Sequence, residues 1–384
     1  MSQAVGFARI SLIGGLVFLH YMQYPNATIS PFDGMDASHH AIATFINSFV
    51  LFFFFSAVPL LSMISGWLFY PATHGTVESR TRHIHRIWRR AKSLYFPLVF
   101  WNATFLIILY TIFLRNAADP LLVEIGFRFD QSGWADYINA VFGVTRRPIA
   151  FQFWFVRDLF VTALISPLLW LSLRHTPTLG FAILGLSWLV GHDLWIFFRP
   201  DVVFFFYLGA YLKLRNISLE IGRRASLVLF LSYLILVALR TAAPALMTWE
   251  IGDRPELLSG ITRLMRLIGV MASWALVLQL CSTRIGILIG SYSGLAFFIH
   301  SVHFPLIAEV KLLLWRLIPA PTDFWMVAHY LGSVGVTLIL SISVGMILAR
   351  HLPGLFGLMN GGRLLNRDER RAGSPIPPPA TGLR

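Results

Sequence analysis

Cysteine is almost absent from this chain: Cys281 is the single one in 384 residues, which excludes an internal disulfide and any cysteine metal cluster. Charge is scarce as well, with 13% of residues Asp, Glu, Lys or Arg, against about 25% in ordinary soluble domains. No basic leader or small-residue cleavage site precedes the first apolar run, which is therefore expected to be a retained helix and not a signal peptide. Alternation of period two is missing too, so the apolar runs do not read as barrel strands. Neither a repeat of 20 to 50 residues nor an inverted repeat is evident, and that disfavours a typical transporter.

Apolar side chains fill the space these absences leave. Hydrophobic residues make up 56% of the chain and the mean hydropathy is +0.68. They come in runs of about twenty, the length that crosses roughly 30 Å of hydrocarbon as a helix. The expected fold is an all-α polytopic membrane bundle of about ten spans: 6 to 22, 43 to 69, 93 to 114, 151 to 173, 178 to 198, 201 to 214, 226 to 246, 261 to 282, 286 to 308 and 324 to 349. The membrane-embedded domain then covers 1–350, and 351–384 is expected to be a cytoplasmic, largely disordered tail, because GSPIPPPATGLR from Gly373 onward can form neither helix nor core.

A net charge of +13 suggests nucleic acid only until the basic residues are placed. They sit between apolar runs, at Arg86, Arg89, Arg90 and Lys92, at Lys213, Arg215, Arg223 and Arg224, and in the tail. With both termini inside, these segments all fall on the cytoplasmic face, as the positive-inside rule requires. The longer opposite loops, near residues 24–41 and 116–150, carry Trp134 and Tyr137 as interfacial anchors.

An ionisable group inside a span is costly unless paired or hydrated, which makes each one a functional candidate. Arg9 and His20 lie eleven residues apart, three turns plus about 20°, so they share a helix face roughly 16 Å apart. Arg157 and Asp158 are adjacent, hence about 100° apart and poorly placed to neutralise only each other; partners on other helices are expected. Their alternatives are a structural ion pair or a wall of a substrate cavity; His300 and His303, which share a face, are either a polar wall of that cavity or a packing and hydrogen-bonding contact between helices. His39 and His40 with Asp33 and Asp36 show no ligand spacing of a metal site, so none is expected.

An Arg, ten intervening residues and a His in the first helix resembles the hallmark of the membrane acyltransferase-3 family. The segment FFFFSAVPLLSMISGWLF at Phe52 to Phe69 looks like the family's second helix, and KSLYFPLVFW at Lys92 to Trp101 is similar to the run opening its third. FWFVRDLF at Phe153 to Phe160, followed by Ser166 and Pro167, and GLAFFIHSVHFPL at Gly294 to Leu306 continue the likeness in order and spacing. One departure is that GFAR lacks the acidic residue many members place before the Arg, which leaves Arg9 without that partner.

The resemblance implies an enzyme of the inner (plasma) membrane that moves an acyl group, acetyl above all, from cytoplasmic acyl-CoA to a sugar hydroxyl of an envelope or exported glycan. A sugar hydroxyl needs a positioned base, and the imidazole of His20 suits that role. The phosphates of CoA call for cations with fork geometry, for which Arg9, Arg86, Arg89 and Lys92 are the expected set, the last three spaced along one helix side. Arg157, Asp158, His300 and His303 are expected around the substrate cavity, with lipids and the glycan as partners. A transporter for a lipid-linked precursor is the alternative, though it has no need of a basic cluster matched to CoA.

Overall fold

In a computed structural model of the chain the described residues are 1–27, 29–70, 80–246, 255–318, 320–363 and 365; the proline-rich run from Gly373 lies outside them. Every regular element among them is helical. In chain order they are α1 (Ser2–His20), α2 (Ala41–Phe54), α3 (Ala57–Phe69), α4 (Arg80–Arg90), α5 (Phe96–Arg115), α6 (Pro120–Ile125), α7 (Trp134–Phe142), α8 (Trp154–Leu164) and α9 (Ser166–His175). There follow α10 (Pro177–Val190), α11 (Asp201–Leu214), α12 (Arg223–Leu246), α13 (Pro255–Leu280), α14 (Arg284–Ser291), α15 (Ala296–Leu317), α16 (Asp323–His351) and α17 (Pro353–Met359).

Among the described residues, seven helical stretches are long and apolar enough to cross a membrane, or eight if α8 and α9, bent by 60°, form one crossing. The chain is thus a multi-pass membrane protein, but the expected count of ten is not reached. The difference lies at the expected spans 178 to 198 and 201 to 214. Each is a helix of 14 residues, about 21 Å at 1.5 Å per residue and short of the hydrocarbon thickness. Gly191 ends α10 in the left-handed conformation at φ 85°, and α11 starts only after Pro200.

The bends have chemical causes. Proline lacks the N–H that would bond the carbonyl four residues back. At Pro167 the carbonyl so released is that of Ala163, and the Ser166 hydroxyl donates to it at 2.6 Å. At Pro305 the released carbonyl is that of Ser301, which accepts from Gln152 Nε2 at 3.2 Å, while the same amide donates to Phe304 O at 2.9 Å. Helix α15 is kinked there, with Phe304 at φ −120° and ψ 130°.

Apart from Ser2, Gln3, Arg9, Ser11 and His20, helix α1 is apolar, with buried residues on every side, and it packs against α2, α3, α14, α15 and α16. Helices α3 and α11 meet backbone to backbone. A Cβ on Gly66 would lie 1.9 Å from Phe206 O, and one on Gly209 would lie 1.9 Å from Met63 O, so glycine at both positions is what permits the approach. Past the expected boundary at 350 the packing continues: Phe356 of α17 is fully buried, and Trp101 Nε1 donates to Met359 O at 2.9 Å.

Candidate functional site

The last turn of α1 carries His20 to the kink of α15. Its Nδ1 lies 2.5 Å from His303 Nε2, and the two ring planes are within 7° of parallel with centroids 4.8 Å apart. Nδ1 of His303 lies 3.0 Å from Ile299 O. A carbonyl only accepts, so that nitrogen carries the proton, and Nε2 of a neutral His303 is left as an acceptor. His20 must then donate through Nδ1, and its own Nε2 holds the open lone pair. One backbone carbonyl thus sets the tautomer of both rings. The ring of Phe151 stands edge-on to His20, with centroids 4.9 Å apart.

Two neighbouring cavities lie in this part of the bundle. The larger, about 350 Å³, is lined by His20, Phe151, Arg147, Arg199, Asp201 and Arg266 among others. A smaller one of about 120 Å³ lies toward the start of α1, lined by Arg9, Arg90, Arg363 and Ser293. Phe155 and His300 belong to both linings. His300 is buried, and neither of its ring nitrogens makes a hydrogen bond of ordinary geometry. A buried polar group left in that condition asks for an occupant.

The small cavity is cationic: among the described residues, three guanidiniums and no carboxylate line it. Arg363 is held by the carbonyls of Ser93 and Asn360 at 3.3 and 3.1 Å. Burial, and then the charge of Arg9, pull Arg363 down to about 10, which leaves it protonated at neutral pH. In the large cavity Asp201 pairs with Arg266 at 2.7 Å and accepts from Trp188 Nε1 at 3.0 Å. The guanidinium of Arg199 lies over the Trp154 ring at 5.0 Å, and burial lowers it from its usual value.

The sequence-derived candidates divide between these places. Arg9, His20 and His300 line the cavities, and His303 supports His20 from behind. Arg86, Arg89 and Lys92 line neither; Arg89 and Lys92 stand exposed on the same segment that sends Arg90 inward. Arg157 and Asp158 line neither as well. They pair at 3.0 Å, and each also binds backbone from elsewhere. Arg157 donates to Gly143 O, Val144 O and Ile196 O, and Asp158 accepts from the N–H groups of Phe198 and Arg199 at 2.9 Å. The pair therefore positions the loop that holds Arg199. His39 and His40 make separate contacts, with Asp36 at 3.7 Å and Asp323 at 3.2 Å.

Arg90, Gln152, Arg199, Asp201, Arg266 and Arg363 were not singled out from the sequence. Arg266 lies inside an expected span and Asp201 opens another, so the intramembrane-charge criterion reaches both. For Arg363 no sequence signal exists, because its place depends on how α17 folds back.

A family model described as an acyltransferase domain matches residues 3–346. The succinoglycan biosynthesis protein ExoH of Rhizobium meliloti (strain 1021) is 25% identical over 368 residues, which cover 94% of this chain and 93% of that protein. No solved structure matches. The matched range includes every residue named above in the two cavities except Arg363.

Proposed function

This chain belongs to the acyltransferase-3 family of membrane acyltransferases, and from that premise we propose that it moves an acyl group, acetyl foremost, from cytoplasmic acyl-CoA to a sugar hydroxyl of an envelope or exported polysaccharide. The observation that carries this reading is the pair of cavities that share His300 in their linings, one cationic at the Arg9 end and the other holding an open imidazole nitrogen at the His20 end. The name of ExoH, a succinoglycan biosynthesis protein, supports a polysaccharide acceptor. The Arg9 end faces the cytoplasm of a cell whose inner membrane holds the protein, with both termini on that side.

The donor enters at Arg9, Arg90 and Arg363. A cavity of about 120 Å³ is well below the roughly 300–1,000 Å³ that enclose a drug-sized ligand, so it takes the acyl-bearing thioester end. The nucleotide stays outside, where Arg86, Arg89 and Lys92 meet its phosphates. The acceptor hydroxyl approaches from the other side. His20 Nε2 takes its proton as the oxygen attacks the thioester carbonyl, forming the C–O bond. His300 donates to the carbonyl oxygen as negative charge develops there. Collapse breaks the C–S bond, and the imidazolium of His20 returns the proton to the leaving thiolate. His303 holds His20 in the tautomer that makes this possible.

The test is transfer of label from radiolabelled acetyl-CoA and succinyl-CoA into envelope glycan, in membranes containing the wild type or His20→Ala at matched protein level. Glycan labelling that needs His20 supports the reading. Labelling no higher than in membranes lacking the protein, with both donors, overturns it.

A further inference from the structure

The region between α5 and α8 builds a pocket that acyl transfer at His20 does not yet use. Its two short helices are fixed by local signals: the Asp119 carboxylate caps α6 by accepting from Leu121 N–H at 2.9 Å, and Gly126 and Gly143 close α6 and α7 at φ 72° and 59°. Phe127, Phe129 and Tyr137 pack edge to face beneath them. The rim is braced by Arg146, which pairs with Asp136 at 2.6 Å, and the wall is pinned to the bundle where Arg157 grips Gly143 O and Val144 O.

The pocket is an open cleft of about 470 Å³, and its lining includes Phe127, Arg128, Gln131 and Arg147. Ile125, Arg147 and Phe151 also line the His20 cavity, so the two spaces are neighbours that share a wall. Their charges are unequal. Together their linings contain Arg128, Arg146, Arg147, Arg199 and Arg266 against Asp136 and Asp201. Arg146 and Arg266 take those two carboxylates. Among the described residues, Arg128, Arg147 and Arg199 form no ion pair within 4.0 Å. Linings in which five guanidiniums face two carboxylates attract carboxylate or phosphate and repel cations.

We infer that the loop pocket and the His20 cavity form one groove for an anionic glycan acceptor, whose acidic substituents are held by Arg128 and Arg147 while its reacting sugar reaches His20. This rests on the acyl-transfer reading for the direction of travel, not for the charge preference. The aromatic face of Phe127 and the exposed amide of Gln131 supply the stacking and hydrogen-bonding surfaces a sugar ring uses. Arg199 stands deepest, over Trp154, where it meets an acidic group close to the transferred acyl.

Binding of tetragalacturonate and of its carboxyl-reduced galactose counterpart to the purified full-length protein in detergent tests the inference apart from turnover. The acidic chain is expected to bind at least about tenfold tighter, with the preference fading as salt is raised. Arg128→Gln and Arg147→Gln, both at exposed positions, are expected to shrink it severalfold. Equal binding of the two chains, binding of neither, or a preference untouched by salt and by both variants overturns the inference. A donor arm separates the other source of negative charge. If Arg147→Gln changes the succinyl-to-acetyl transfer ratio while the acceptor preference persists, the anion belongs to the acyl chain and the inference fails. Acidic preference without any transfer leaves the groove and removes the enzyme reading; transfer without preference does the reverse.

Discussion

His303 stands behind His20 as a hydrogen-bond acceptor, its Nε2 lying 2.5 Å from His20 Nδ1 and its own Nδ1 committed to Ile299 O. Replacing His303 by Ala frees the His20 ring to turn and to exchange tautomers. The expected result is a fall in kcat of about 10- to 100-fold, the size typical when a residue orienting an imidazole is lost, with the KM for acyl-CoA unchanged. His303→Gln, whose amide oxygen can still accept, is expected to retain more activity than His303→Ala. Steady-state kinetics on the three proteins check this, and a change confined to KM contradicts it.

Arg9, Arg90 and Arg363 line one cavity, with no carboxylate beside them among the described residues. Alanine at any one of them is expected to raise the acyl-CoA KM about tenfold, as loss of a charge-assisted contact does, and to leave the glycan KM alone. Arg363 is held down only to about 10. A lowered pKa means charge is lost as pH rises toward it, so donor KM should stay flat through neutral pH and climb only on approach to pH ~10. A donor titration across that range reads the effect directly.

The pair Arg157 and Asp158 is buried, with side-chain exposures of 10% and 0%. Asp158→Ala leaves a buried guanidinium uncompensated and strips acceptors from the N–H groups of Phe198 and Arg199. A loss of about 3–5 kcal/mol is expected. The double change Arg157→Met with Asp158→Leu, which removes both charges, should cost less than the single one. Thermal denaturation in detergent ranks the three.

Gly66→Ala would drive a methyl to 1.9 Å from Phe206 O. Helices α3 and α11 must then separate, and a marked drop in denaturation temperature is expected. Gly332→Ala meets no atom within 4 Å and serves as the tolerated control on the same assay.

Much of this molecule is legible before folding. Runs of about twenty apolar residues fix an all-helical membrane bundle, and the eleven-residue interval from Arg9 to His20 places both on one face of α1. Hydropathy also reads α10 and α11 as spans, because apolar content does not register that Gly191 stops one helix and Pro200 delays the next. At the Arg9 end, the spacing of Arg86, Arg89 and Lys92 describes a helix side but not which side meets α1, and it is Arg90 that lines the cavity. Arg266 and Asp201 answer to the same rule that singles out Arg157 and Asp158, that charge inside a span needs a reason. Gln152 could be read only once Pro305 was known to leave the Ser301 carbonyl exposed beside it. The role of Arg363 depends on α17 folding beneath the bundle, a tertiary contact with no local pattern.

The central claim is transfer through the bundle, with the donor at the Arg9 end and the acceptor at the His20 end. Purified protein reconstituted into vesicles in a single orientation, with glycan sealed inside and radiolabelled acyl-CoA supplied only outside, tests it most directly. When the Arg9 end faces outward, label is expected to appear in the enclosed glycan, and His20→Ala is expected to abolish it. Label appearing only when acyl-CoA and glycan share one compartment would contradict the account.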